Sequence, residues 1–427
     1  MRKLLVPVAA LLLSDALLLI GHGLQFTLLP LRASLEGFTD TEVALTGSAY
    51  FAGFVVGCIL APRTVRRVGH IRSFAVLSSA FSALLLVFPM LPDFLAWLLL
   101  RALTGVCISG LYMIIESWLN ERATRESRGT ILSVYTVINL TAIIAGQQLV
   151  NLAAPSSAML FALGAILLSL AVIPVSLTTA LAPAPIARVR IDLREVWAVS
   201  HVGLGGAAVL GFVTGAFWSL APVYGRDVGL DVRGVTLLMS AATLGAAVFQ
   251  FPLGRLSDHY DRRLVVLGGT VVGALASALL ATLDAGDGWR LSAAAFLWGG
   301  AVLTLYAICS AHANDRAGPE QFVTIGSSIL LTFGATSAVG APLASLTMRY
   351  AGPGGLFWFC AVGLLLFALG ILRRRQTHAL PVVDETGHFV FANPMTPEGL
   401  ELDPRRDDPP APELPAAAHE EARPDAA

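Results

Sequence analysis

Gly254-Arg255-Leu256-Ser257-Asp258-His259-Tyr260-Asp261-Arg262-Arg263 is a charged hinge between two apolar runs, 234–252 and 264–283. A short charged connection between two runs of about 20 apolar residues reads as a turn between two membrane-spanning helices. The first part of the chain holds a counterpart, Arg66-Arg67-Val68-Gly69-His70-Ile71-Arg72, also flanked by apolar runs. A second pair of loops repeats in the same way: Asn120-Glu121-Arg122-Ala123 against Asn314-Asp315-Arg316-Ala317. Gly69 superposes on Asp261 at an offset of 192, and the second pair superposes at 194. Two nearly equal offsets indicate a duplicated six-helix unit.

Working outward from these loops, the apolar runs fall at 4–31, 43–62, 73–92, 94–117, 130–152, 157–178, 198–222, 234–252, 264–283, 291–311, 321–346 and 355–372. The expected fold is an all-α membrane protein, with twelve transmembrane helices in two pseudo-symmetric six-helix bundles. Composition agrees: of 427 residues 56% are hydrophobic and 13% charged, against roughly 25% charged in a soluble domain. Arg2 and Lys3 precede an apolar run that Asp15 interrupts, without a small-x-small cleavage pattern, so the first span is expected to be uncleaved.

The cations set the orientation. With the N-terminus cytoplasmic, the inner loops carry 19 Lys and Arg residues and the outer loops 5. Positive charge favours the cytoplasmic side, so both termini are expected there, in a bacterial inner membrane. Trp97 and Trp118 stand 21 residues apart, as do Trp197 and Trp218, a spacing of about 31 Å that suits two interfacial belts. The organisation reads as a first bundle over 1–179, a cytoplasmic linker over 180–196, a second bundle over 197–375 and a tail over 376–427. The linker interleaves Arg188, Arg190 and Arg194 with apolar residues, suiting an amphipathic surface helix. The tail is rich in Pro, Asp, Glu and Ala and is expected to be disordered.

On these residues the chain resembles the major facilitator superfamily of transporters, over about residues 1–375. The Gly254–Arg263 segment is similar to that family's signature loop: Gly254, then Asp258, then the basic pair Arg262 and Arg263. It departs from the pattern in carrying Asp261 where a second Gly is usual. The first-half copy keeps Gly69 and Arg72 but has Pro62 and Arg66 at the Gly and Asp positions. Arg101-Ala102-Leu103-Thr104-Gly105 resembles the family's fourth-span motif. Gly146-Gln147-Gln148 stands where many antiporters carry Gly-Pro. The runs Gly69-His70-Ile71-Arg72 and 116–122 resemble the YcaD-like subgroup. The resemblance implies a cytoplasmic latch, to which Arg66, Gly69, Arg72, Glu116, Gly254, Asp258, Arg262 and Arg263 are assigned; simple positive-inside charge is the plainer explanation.

An ionisable side chain at membrane depth costs several kcal/mol unless partnered, so it is a functional candidate. Asp15 lies about 16 Å along the first span and Arg101 about 10 Å into the fourth from the outside. At matching heights, and facing the one cavity the resemblance implies, they are expected to pair. A carboxylate whose partner can be withdrawn serves as a proton carrier; a permanent ion pair between helices and an Asp15 that snorkels to the inner end are the other possibilities. His22 and Gln25 follow Asp15 at i+7 and i+10 on one helical face. Asn139 and Gln147 can bond a solute or a neighbouring helix, and Trp298 and Tyr306 can stack a solute or pack. At an offset of 192 the second half has Ala207 and Ala293 where the first has Asp15 and Arg101.

These features lead to a secondary active transporter for a small organic solute, working by alternating access as a proton-coupled symporter. Its partners are the lipid bilayer, the solute and protons, with no nucleic acid, and it is expected to be monomeric. The alternatives are an uncoupled facilitator or drug/metabolite exporter, and a membrane sensor or scaffold. The sequence has no nucleophile–base pair, metal-ligand spacing or phosphate loop, so neither an enzyme nor a cofactor is expected. Cys58, Cys107, Cys309 and Cys360 all sit in apolar runs and read as packing residues.

Overall fold

The computed structural model describes residues 8–123, 127–177, 191–317 and 321–375. The tail, most of the linker and the basic residues Arg2, Lys3 and Arg125 lie outside the described residues. Among the described residues, twelve helices are long and apolar enough to cross a membrane. They are α1 (Ala9–Leu35), α2 (Asp40–Val68), α3 (His70–Met90), α4 (Phe94–Arg122), α5 (Gly129–Leu152) and α6 (Ala158–Ser176), then α7 (His201–Asp227), α8 (Val232–His259), α9 (Arg262–Thr282), α10 (Ala285–Asn314), α11 (Thr324–Ala351) and α12 (Gly355–Arg373). Each falls on an expected span, and no strand occurs among the described residues. Below, "inner" denotes the end with the arginine-rich turns.

The duplication is written into the packing. α2 packs against α4 as α8 packs against α10, and α1 against α5 as α7 against α11. Glycine makes each of these crossings possible. A Cβ on Gly53 would collide with the Ala102 carbonyl, and one on Gly105 with that of Tyr50. Gly245 and Gly299 stand in the same relation to the Phe296 and Ala242 carbonyls. Gly23 and Gly146 abut Ile143 and Ile20, just as Gly215 and Gly340 abut Ser337 and Phe212. Every counterpart on α7 or α8 lies 192 residues on, and every counterpart on α10 or α11 lies 194 on. Small residues let helix backbones touch where no water drives association. The offset of 194 on α10 also moves the counterpart of Arg101 from Ala293 to Ala295, which is again apolar.

The outer turns repeat as well. Thr39 caps α2 in a capping box with Glu42, and Asp231 caps α8 by accepting from the Gly234 amide at 2.7 Å. At the inner turns the halves part company. Gly69 takes φ +88°, which a residue with a Cβ rarely adopts. Asp261, its counterpart, caps α9 by accepting from the Arg263 amide at 2.8 Å.

Two details differ from expectation. Trp97 and Trp118 are buried in protein, so they form no lipid belt: Trp97 donates to the Phe88 carbonyl at 3.2 Å and Trp118 packs on His70. The reason is the face each occupies: Trp97 turns inward onto Phe38 and Phe88 while Leu95 and Leu99 of the same helix stay exposed, and Trp118 lies in the enclosed inner half of α4. α10 breaks between Val302 and Leu305, at the level of the central cavity. The linker's described end forms a short helix, Leu193–Val199, capped by Asp192.

Candidate functional site

Between the halves lies a cavity of about 190 Å³. His22, Phe26, Tyr50 and Tyr112 line it from the first half, and Thr214, Trp218, Tyr306 and Phe333 from the second. Above it, hydrogen bonds tie α5 to α8. Gln147 donates to Thr243 (3.2 Å) and accepts from Ser240 (3.0 Å). Gln148 donates to Ser240 (2.7 Å), and Asn151 to Thr236 (2.9 Å). Ser345 of α11 meets Thr41 of α2 at 3.4 Å. Among the described residues, the hydrogen bonds between the halves lie at or outward of the cavity, so the outer side is closed. Gln147 thus bonds a neighbouring helix.

Polar side chains form two layers inside the first bundle. In the upper layer the His22 Nε2 and the Tyr50 hydroxyl share a hydrogen bond of 3.3 Å. The Arg101 guanidinium stands 4.7 Å from the Tyr50 ring centroid and 5.7 Å from that of Phe26. Gln25 is fully buried beside them. In the lower layer Asn139, with its amide nitrogen turned towards the acid, donates to Asp15 Oδ2 at 2.5 Å and to the Tyr135 carbonyl at 2.9 Å. The Tyr135 hydroxyl donates to Glu116 Oε1 at 3.0 Å. Tyr112 connects the layers, with its ring 6.3 Å from that of His22.

The structure corrects two expectations here. Asp15 and Arg101 form no ion pair. The α1 residue at the level of Arg101 is His22, and Asp15 sits seven residues earlier, about 10 Å lower. Each charge is therefore buried without its opposite: Asp15 Oδ1 has no hydrogen-bond partner, nor do Arg101 Nε and Nη1. Glu116, assigned to the cytoplasmic latch, is instead wholly buried near Asp15. The inner turns of α4 remain enclosed as far as Leu119, so a side chain at 116 cannot reach the surface.

Trp298 and Tyr306 also separate. Trp298 is buried beneath the cavity wall, stacked on Phe217 at 4.3 Å, with its Nε1 donating to Ser277 at 2.9 Å. Tyr306 reaches the cavity and packs on Phe333, and its hydroxyl has no hydrogen-bond partner.

The signature loop builds a buried ionic knot. Arg262, 2% exposed, donates from Nε to Asp315 at 2.5 Å and from Nη1 to Ser257 at 3.0 Å, and lies 3.5 Å from Asp258. Arg263 donates to His312 at 3.4 Å, and the other nitrogen of that ring meets Ser200 at 2.8 Å. Gly254 accepts the Ser257 hydroxyl at 2.7 Å. In the first half Arg66 and Arg72 are exposed, and His70 fills the place of Arg262. It lies 3.4 Å from Ser117. Sequence reasoning passed over Asp315 and His312, although Asp315 lies inside one of the repeated loops and the repeat itself was the available signal.

The model of the Major Facilitator Superfamily matches residues 11–201 and again 203–408. The chain belongs to this superfamily. It is 26% identical over 378 residues to an uncharacterized MFS-type transporter YcaD of Escherichia fergusonii, covering 88% of this chain and 98% of that one. A similar transporter of Yersinia pestis is 26% identical over 387 residues, covering 87% and 96%. This superfamily member therefore groups with the YcaD-like transporters. Among solved structures, a variant of the nucleoside transporter NupG superposes with a TM-score of 0.76 at 13% identity, covering 86% of this chain and 99% of that one. A bacterial homolog of the lysosomal transporter Spinster, inward-facing and occupied, reaches 0.70 at 15% identity, covering 89% and 97%. At such identities these structures speak for the fold alone. The chain is a multi-pass membrane transporter of the superfamily.

Proposed function

We propose that the chain is a proton-coupled symporter of a small organic solute, working by alternating access in a bacterial inner membrane with both termini cytoplasmic. Asp15 carries the proton. The observation behind this is its burial without a cation: one carboxylate oxygen accepts from Asn139 and the other has no hydrogen-bond partner. A bare carboxylate at this depth costs several kcal/mol, and binding one proton removes that cost. Asn139, Tyr135 and Glu116 surround the acid and give an arriving proton hydrogen-bonding company. The cavity takes the solute, and rocking of the halves about the α5–α8 and α2–α11 contacts exposes it to each side in turn. The arginine-rich turns support the orientation.

The test uses the full chain reconstituted in liposomes with a pH-sensitive dye inside. Solutes that raise the melting temperature of the purified protein are added outside. Influx of solute accompanied by internal acidification supports the reading. Influx that ignores an imposed pH gradient would make the protein an uncoupled facilitator, and binding without flux would make it a sensor.

A further inference from the structure

We infer that the solute is an organic anion, a monocarboxylate with an apolar or aromatic body, and that Arg101 neutralises its charge. This deepens the proposed function and rests on the cavity being the transport site.

Arg101 is 2% exposed and cannot escape its charge, because a guanidinium stays protonated in proteins. Asp15 can be neutralised by a proton; Arg101 can be neutralised only by an anion. No acid among the described residues supplies one: the guanidinium makes no ion pair with them, and its Nε and Nη1 have no hydrogen-bond partner. Cation–π contacts with Tyr50 and Phe26 offset only part of the desolvation. Both rings are cavity wall, so the cation lies one ring's width from the space a solute would enter.

Close by are further buried polar atoms: His22 Nδ1 and both ends of the Gln25 amide make no hydrogen bond of normal geometry, although the two side chains lie near enough to interact with each other. Buried polar groups are ordinarily satisfied. Here three neighbouring side chains, among them the cavity-lining His22, are left with unused donors and acceptors. A carboxylate accepts from an arginine fork in bidentate fashion and leaves oxygen lone pairs for the other two. Most of the remaining wall is apolar or aromatic, with Phe54, Ile143, Leu210, Trp218, Leu330 and Phe333, while Thr214, Thr243, Gln250 and Tyr306 add polar atoms on the second-half side. That wall suits a hydrophobic body. A cationic solute would be repelled by Arg101, and a neutral one would leave it uncompensated.

The charges then balance. One proton on Asp15 and one carboxylate at Arg101 cross together, and no net charge moves. The two sites are about 10 Å apart along α1, so neither has to give up its occupant to the other.

The experiment measures binding to the purified full-length protein by thermal shift and tryptophan quenching, neither of which needs transport. The probes are matched sets: benzoate, benzamide and benzylamine; phenylacetate and phenylacetamide; butyrate and butyramide. The expected result is that at least one acid binds tenfold or more tighter than its amide, and that the amine does not bind. Arg101→Gln should cost that acid at least tenfold in affinity and leave amide binding unchanged. If Arg101→Gln does not fold, Arg101→Lys, which keeps the charge and loses the fork, should show a smaller loss of the same kind. The inference is overturned if amides bind as well as acids, if acid affinity survives at Arg101→Gln or Arg101→Lys, or if no acid of the panel binds. Arg101-dependent acid binding without acid flux in liposomes would sink the transport reading and leave only the anion site at Arg101 standing. Proton-coupled flux of a neutral solute would do the reverse.

Discussion

Positions 15, 22, 101 and 116 are Asp, His, Arg and Glu in the first half; at the same places in the second half stand Ala207, Thr214, Ala295 and Ser310. At the inner turns the inequality reverses. The second half has the buried Arg262 held by Asp315, where the first has His70 against Trp118. The skeleton that carries these residues is the same in both, down to the glycines at the helix crossings. Duplication supplies the frame, and the two copies have divided the charges: the buried Asp15, His22, Arg101 and Glu116 in the core of one, an ionic knot at the edge of the other. A buried charge is costly wherever it stands, so few positions hold one.

The largest stability effect is expected at the knot. Arg262→Ala removes the buried cation that holds Asp315 and should cost a few kcal/mol, read as a fall in melting temperature or loss of folded protein. Replacing both members, Arg262→Met with Asp315→Leu, should be much milder. If the single change is as mild as the double, the pair is not holding the second half together.

Next come the crossings. Gly105→Val and its counterpart Gly299→Val each force a side chain against a carbonyl, at about 1–3 kcal/mol apiece. Similar losses would sharpen the claim of a common skeleton, and tolerance at one site alone would break it. Trp298→Phe removes one hydrogen bond to Ser277 and should cost about 1 kcal/mol, with solute affinity unchanged because Trp298 stands behind the wall. The smallest stability effect belongs to Asp258→Asn, which weakens a 3.5 Å contact by a few tenths of a kcal/mol. That change should still raise the inward-open population in accessibility labelling at both faces. An unchanged population would reduce the loop to ordinary positive-inside charge.

The bilayer made the frame legible. Spans must be long and apolar, inner loops collect arginine, and a duplicated chain repeats its turns, so twelve helices in two copies followed from the sequence. Height within the bundle was not legible. It depends on how each helix slides and tilts against its neighbours, so Asp15 came to Asn139 and not to Arg101. Burial was read wrongly for Trp97 and Trp118, because interfacial spacing says nothing about which side of a helix meets lipid. Glu116 was placed at the surface because it begins a charged run, yet α4 stays enclosed for another turn. Some signals were present and unread. Gly37 and Gly229, both at positive φ, and the caps Thr39 and Asp231 all repeat at 192, and would have fixed the register of the halves without a structure.

The claim that the first half holds the proton site is tested most directly by accumulation in liposomes under an inward proton gradient, comparing the parent chain with Asp15→Asn for a solute the parent takes up. The account predicts that Asp15→Asn abolishes accumulation above equilibrium while solute exchange across the membrane continues, because exchange needs rocking of the halves but no net release of a proton. Undiminished accumulation by Asp15→Asn would contradict it.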